Sequence, residues 1–339
     1  MNILYLGFET GTSGHRADAL RRLGHEVRII SPGHLVPRLP LMPHWQRYFG
    51  SIGLASLIRK RVLEKLKGSS GFDLIWVDSG GLVSRQLVED LKRFGKRVVN
   101  YNVDDPFGNR DVNSWVQYRG AVSAYDLVAV VRKENVEEAR TLGARKVLMV
   151  YRSADEVAHA PIQLSEEDRA KWSTEVLFVG TGFAERGPFF VELVKLGVPL
   201  SIYGNSWQKI HDWNTLKPYW QGPGLDEKFS YAAAIQSAKV CLGLLSKGNR
   251  DLHTQRSLEI PSLGGVFCAE RTEEHLALYE EDKEAVFWSS AEECAAKCRA
   301  LLADGAWRRS VAENGRLRYL DNGWSNQKVA EKILKATLE

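Results

Sequence analysis

Cysteine is scarce in this chain, at four residues in 339. With no paired metal-type spacing the four thiols read as reduced, which fits a cytoplasmic protein. Cys241 and Cys268 lie in apolar runs and read as small core residues. Cys294 and Cys298 fall one helical turn apart with no nearby histidine, so no metal site is expected there. Long apolar runs are missing: none approaches the roughly 20 residues that span a bilayer. The opening residues, Met1 to Gly7, have neither a basic leader nor an extended apolar segment, which argues against a secretory signal. Charge of one sign is also lacking. The formal excess is +4 and no RNA or DNA motif accompanies it, so nucleic acid is not an expected partner. Short repeats and low-complexity segments are absent. So is the dinucleotide fingerprint Gly-x-Gly-x-x-Gly. Gly11-Thr12-Ser13-Gly14-His15 follows the first strand and Ile30-Ser31-Pro32 ends the second without an acid, which disfavours a nicotinamide cofactor.

What is present is an apolar content of 44%, enough over this length for two domains with full cores. Continuous apolar strands alternate with helices, the pattern of parallel sheets covered on both faces. In the first half, strands are expected at 2–7, 26–30, 72–78, 97–101, 125–131 and 146–150, with helices at 15–23 and 82–94. In the second half they are expected at 175–179, 200–203, 240–244, 265–269 and 285–288. The expected architecture is α/β: two doubly wound, Rossmann-like domains, 1–155 and 173–322, facing across a ligand-binding cleft. A polar linker over 156–172 joins them, and an amphipathic helix within 323–339 packs back toward the N-terminal domain.

Several turns offer chemistry. Ser257 to Glu270 reads as a short helix, a glycine turn at Gly264-Gly265 and a buried strand. Its carboxylate, Glu259, is expected at a strand's carboxyl end, where it can accept from two adjacent hydroxyls of a sugar or ribose. Asp251 lies eight positions upstream, giving Asp-x7-Glu, and Arg256 adds a cation on the same helix. Val179-Gly180-Thr181-Gly182-Phe183-Ala184-Glu185-Arg186-Gly187 is a glycine turn opening a helix, where free N–H groups and Arg186 suit a diphosphate; a plain β-to-α turn is the alternative. Tyr203-Gly204-Asn205-Ser206-Trp207 and Trp220-Gln221-Gly222-Pro223-Gly224 read as strand-end turns able to hold a nucleobase, against ordinary packing of tryptophan. Asn102-Val103-Asp104-Asp105-Pro106 makes an acidic turn: Asp104 and Asp105 are candidates for acceptor binding or general base, or for a solvated cap. Gly14 and His15 are acceptor-side candidates, His15 also a candidate base. Residues 34–67 carry Pro37, Pro40 and Pro43, then Arg38, Arg47, Arg59, Lys60, Arg61, Lys65 and Lys67 against the single acid Glu64. Such a segment suits peripheral contact with the inner face of an anionic membrane, or a solvated helix face.

Together these residues resemble the GT-B glycosyltransferases, and within them the CgeB/spore-maturation-protein glycosyltransferase-like family, over nearly the whole chain. The resemblance implies a retaining Glu-x7-Glu enzyme in which Glu259 contacts the nucleotide ribose and Asp251, one methylene shorter than the family's glutamate, contacts the donor sugar; inversion with Asp104, Asp105 or His15 as base is the open alternative. It implies that Arg186 stands at the family's diphosphate-binding lysine and Thr181 at its arginine, with Arg256 as a substitute cation. It further implies transfer of a hexose from a UDP- or GDP-linked donor to a glycan, lipid-linked or protein hydroxyl, in cell-surface glycan synthesis. No cofactor and no metal are implied, and the sequence has no Asp-x-Asp strand-end motif. A catalytically silent nucleotide-sugar-binding protein of the same fold is the alternative.

Overall fold

A computed structural model describes residues 1–36, 53–226 and 229–339. The chain forms two compact units. The first comprises 1–152, 248–250 and 326–339, the second 153–247 and 251–325.

The first unit is built on six parallel strands: β1 (Asn2–Leu6), β2 (Glu26–Ile30), β3 (Leu74–Asp78), β4 (Val98–Asn102), β5 (Leu127–Val130) and β6 (Val147–Met149), in the order β2-β1-β3-β4-β5-β6. β3, β4 and β5 are buried along their whole lengths, as central strands covered on both faces must be. Ile75, Val77, Val98, Val128 and Val130 join Leu87, Val88 and Leu91 of the helix Arg85–Leu91 in one core. Helix Asn326–Leu338 packs against helix Gly11–Arg22. The expected glycine turn at 11–14 is instead the first turn of that helix. Gly14 is needed there because a Cβ would fall 2.5 Å from the Glu9 carbonyl oxygen.

The second unit holds β7 (Thr174–Val179), β8 (Leu200–Tyr203), β9 (Trp220–Gly222), β10 (Ala238–Gly243), β11 (Phe267–Glu270) and β12 (Val286–Trp288), parallel, in the order β12-β11-β10-β7-β8-β9. The strand order reverses between β7 and β10, which opens a crevice beyond their carboxyl ends. β9 extends the sheet where the sequence reads as a turn, because Trp220 pairs with Ile202 and Gly222 with Tyr203, with a register shift between the two pairs.

Residues 156–172 belong to this unit. Their polarity suggests a linker, but helix Glu166–Trp172 packs on helix Ser230–Ser237. The Gln236 amide pairs with both backbone groups of Ile162, at 2.8 and 3.1 Å, as a neighbouring strand would. A polar segment can be bound as tightly as an apolar one when its backbone groups find such partners.

Candidate functional site

At the switch point of the second sheet, the turn after β7 lies on the turns after β8 and β9. The Gly180 and Gly182 N–H groups donate to the Tyr203 and Asn205 carbonyls, and Gly204 donates to Gly222, each at 2.9 Å. The sequence suggests that the glycine N–H groups face a ligand; these two are engaged in the ladder instead. Close approach is the reason for glycine here. A Cβ on Gly182 would lie 2.6 Å from the Trp207 Cα, and one on Gly204 only 1.8 Å from the Gly180 oxygen. Gly264 has φ +79°, the left-handed value that ends helix Arg256–Ser262 before the buried strand β11.

Arg186 bridges the two sides of the switch point. It is 8% exposed. Nη1 donates to the Thr181 carbonyl at 2.9 Å, after β7; Nη2 donates to Leu244 and Leu245 at 3.3 and 3.1 Å, after β10. The guanidinium lies over the Phe183 ring at 4.7 Å. Its Nε is buried and has no acceptor among the described residues. Burial above all lowers its pKa to about 10, with Arg256 adding to the fall and Glu185, Glu270 and Asp251 opposing it. The group remains a cation at neutral pH.

Glu259 is 1% exposed. Tyr231 donates to its Oε2 at 2.9 Å, Arg256 Nη1 also donates to Oε2, and His159 Nε2 stands 3.3 Å from Oε1. Burial pushes its pKa up, but Arg256, His159 and Tyr231 outweigh that and hold it below the ordinary carboxylate value. Arg256 Nε donates to the Val179 carbonyl at 3.2 Å, and its guanidinium covers the Tyr231 ring at 4.5 Å. Glu259 and Arg186 are therefore gathered onto one turn, Arg256 holding it at Val179 and Arg186 at Thr181. Asp251 is buried nearby, within electrostatic reach of Arg186. The helix bearing Glu259 is itself anchored: Ser257 Oγ lies 2.8 Å from His275 Nε2, and Tyr279 donates to the Ser257 carbonyl at 2.8 Å.

Residues 186–335 match the glycosyl transferase-like family model. Comparison with curated proteins finds no match. Among solved structures, the chain is similar to sucrose-phosphate synthase from Thermosynechococcus elongatus, with a TM-score of 0.68 and 14% identity over 100% of this chain and 99% of that one. It is similar to Anabaena HepE in complex with UDP-glucose, at 0.66 and 12% over 99% and 100%. It is also similar to a glycosyltransferase from Rickettsia africae, at 0.62 and 15% over 99% and 97%. The fold is GT-B.

In this GT-B chain the first unit has its own crevice, where its strand order reverses between β1 and β3. The cavity there measures about 280 Å³ and is lined by Phe8, Ser31, Asp78, Leu82 and Trp115 among others. Asp78 is held by Arg16 Nη1 at 2.7 and 3.0 Å, both side chains buried. His15 sits half-buried on the helix after β1. Asp104 is half-buried after β4. Asp105 is buried and fully engaged: Oδ1 accepts from Gly108, Asn135 and Arg250, and Oδ2 from Arg250 at 2.6 Å. Burial raises its pKa, and Arg250, Asn135 and Arg132 overcome that to hold it low. Such a carboxylate anchors Arg250 and is poorly disposed to take a proton.

Sequence reading missed His159, Tyr231 and the Arg16–Asp78 and Arg250–Asp105 pairs, because each joins distant segments. It also separated Cys268 from Cys294 and Cys298, whose buried sulfurs lie within 4.8 Å of one another. Of the basic segment, Arg38, Arg47, Pro37, Pro40 and Pro43 lie outside the described residues. Helix Ala55–Lys65 is present, with Arg59 Nε paired to Asp90 at 2.5 Å and Lys60, Lys65 and Lys67 exposed. Among the described residues, no helix is long and apolar enough to cross a membrane.

Proposed function

We propose that the protein is a glycosyltransferase that moves a hexose from a UDP- or GDP-linked donor to a hydroxyl of a glycan, lipid-linked or protein acceptor. The observation that carries this reading is the buried, ionised Glu259 beside Arg256, on the same glycine turn as Arg186, at the switch point of the second unit. Glu259 accepts from the ribose diol. Arg186 and Arg256 face the diphosphate, whose negative charge grows as the sugar leaves; preorganised cations there lower the barrier. Arg186 Nε, buried without an acceptor among the described residues, supplies a donor that a phosphate oxygen satisfies. Asp251 orients the donor sugar. Tyr203, Asn205 and Gly222 border the base, and Gly180, Gly182 and Gly264 shape the turns around it. The Asp251-x7-Glu259 spacing supports retention at the anomeric carbon and kinship with the CgeB-like proteins. The structural neighbour HepE is in complex with UDP-glucose, which favours UDP. On the acceptor side, Gly14, His15 and Asp104 lie in the unit holding the 280 Å³ cavity. The proposed setting is cytoplasmic, in cell-surface glycan synthesis, with the exposed lysines of helix Ala55–Lys65 against the inner face of the membrane.

A thermal-shift screen with UDP, GDP, ADP, CMP and TDP tests the donor class, since a ligand that binds only the folded chain raises its melting point. Stabilisation by UDP or GDP, followed by nucleotide release from the matching sugar donor with an acceptor pool, is the expected result. Binding without release for any acceptor pool would leave a silent nucleotide-sugar-binding protein of the same fold.

A further inference from the structure

Glu259 depends on a residue a hundred positions upstream. Asp155 and His159 are each 2% exposed, in a turn that the sequence places at the start of the expected linker. The Asp155 Oδ1 accepts from the Val157 and Ala158 N–H groups at 3.0 and 2.8 Å, and the His159 N–H donates to the Asp155 carbonyl at 2.9 Å. This closes the turn. Ser262 Oγ, on the helix that bears Glu259, donates to the His159 carbonyl at 2.8 Å, and the His159 ring meets Tyr231 edge-on at 6.1 Å. The His159 backbone is thus held at its N–H and its carbonyl, and its ring rests against Tyr231.

The proton position follows from its partners. The Asp155 backbone N–H donates to His159 Nδ1 at 2.9 Å, so Nδ1 must carry the lone pair. The ring proton then sits on Nε2, the nitrogen 3.3 Å from Glu259 Oε1. Tyr231 and Arg256 converge on the other oxygen, Oε2. Without His159, Oε1 loses the group that faces it, and the carboxylate is fixed only at Oε2, so the tilt of its plane is set by a broad and soft torsion.

We propose that His159 is a positioning residue: its Nε2–H, presented by the Asp155–Ala160 turn, orients Glu259 so that Oε1 meets the ribose hydroxyls of the bound nucleotide. This rests on the reading of Glu259 as the ribose-binding carboxylate. A site whose hydrogen-bonding groups are held by locked neighbours discriminates more sharply than one whose acceptor must first be ordered.

The test uses the full chain and calorimetry with UDP and 2′,3′-dideoxy-UDP. Wild type is expected to prefer UDP by about tenfold or more, the value of one good hydrogen bond to a charged acceptor. His159→Phe, which keeps the ring and removes both nitrogens, should bring that ratio close to one, as should Glu259→Gln. His159→Gln, whose amide N–H replaces Nε2–H, should keep most of it. A purely structural loss would weaken both nucleotides alike and leave the ratio intact; that outcome in His159→Phe overturns the inference while leaving Glu259 on the ribose. A wild-type protein that binds both nucleotides equally removes Glu259 from the ribose instead. Nitrogen-15 shifts of His159 in the nucleotide-free chain give an independent check. An Nδ1–H tautomer there rules out the positioning role whether or not UDP binds.

Discussion

Glu259→Gln keeps the side chain's shape and deletes its charge, and its cost can be worked from the contacts. Tyr231 and Arg256 donate to Oε2, and His159 faces Oε1. A hydrogen bond to a charged group contributes about 1.5–3 kcal/mol and a neutral one about 1. Neutralising the acceptor therefore removes roughly 1 kcal/mol from each strong contact, with the share of Arg256 reduced because its side chain is 34% exposed and screened by water. The expected net loss is about 2 kcal/mol, or roughly 4–8 °C in the melting of a domain of this size. The pH dependence has a definite sign. The folded pKa of Glu259 lies below the ordinary 4.5, so the unfolded chain binds the proton more readily. The stabilisation is fully present above 4.5 and is lost as pH falls through the folded value. Calorimetric melting of wild type and variant should show the full gap near neutral pH and a shrinking gap in acid. Equal melting temperatures near neutrality, or a gap that persists in acid, would refute the charged network. In the same variant UDP affinity should fall by about 1–3 kcal/mol; unchanged UDP and GDP affinity takes Glu259 out of the donor site.

Arg186→Ala deletes a buried cation and leaves the Thr181, Leu244 and Leu245 carbonyls without their donor. It should cost about 2–4 kcal/mol of stability and weaken UDP far more than uridine, and equal loss for the two would contradict the phosphate role. Gly204→Ala brings a Cβ to 1.8 Å from the Gly180 oxygen at φ +150°. Neither backbone can yield cheaply, so a loss of about 3 kcal/mol or more is expected in denaturant unfolding, and a variant as stable as wild type would mean the turns do not pack this way. Asp105→Asn weakens the fork to Arg250, whose side chain is 37% exposed. About 2 kcal/mol should be lost, less than for a fully buried pair. Because the folded pKa of Asp105 is depressed, this loss is complete above its ordinary 3.8 and fades as pH falls below it. A pH-independent difference would exclude the ion pair as its cause.

The apolar strands other than β9, and the glycine turns at 180–182 and 264–265, were legible because strand periodicity and turn chemistry are local properties of a few neighbouring residues. So were Glu259 and Arg186 as candidates, since Arg186 follows β7 and Glu259 lies on the short helix that leads into β11. Less legible were the edges. Trp220–Gly222 reads as a turn by composition and becomes β9 only because β8 offers it a ladder. Gly11–Gly14 reads as a turn by its glycines but is the first turn of a helix, with glycine at 14 because a Cβ there would meet the Glu9 carbonyl.

The sequence alone determined two runs of buried parallel strands and which turns end them, since burying such runs on both faces admits few arrangements. Only the tertiary structure decided which polar groups meet. His159 reaches Glu259, Arg250 reaches Asp105, Arg186 reaches Leu244, and Cys268 joins Cys294 and Cys298. Those pairings span tens to more than a hundred residues. They depend on how strand order reverses and how each polar group, once buried, must find a partner, and neither is written in the spacing of neighbours.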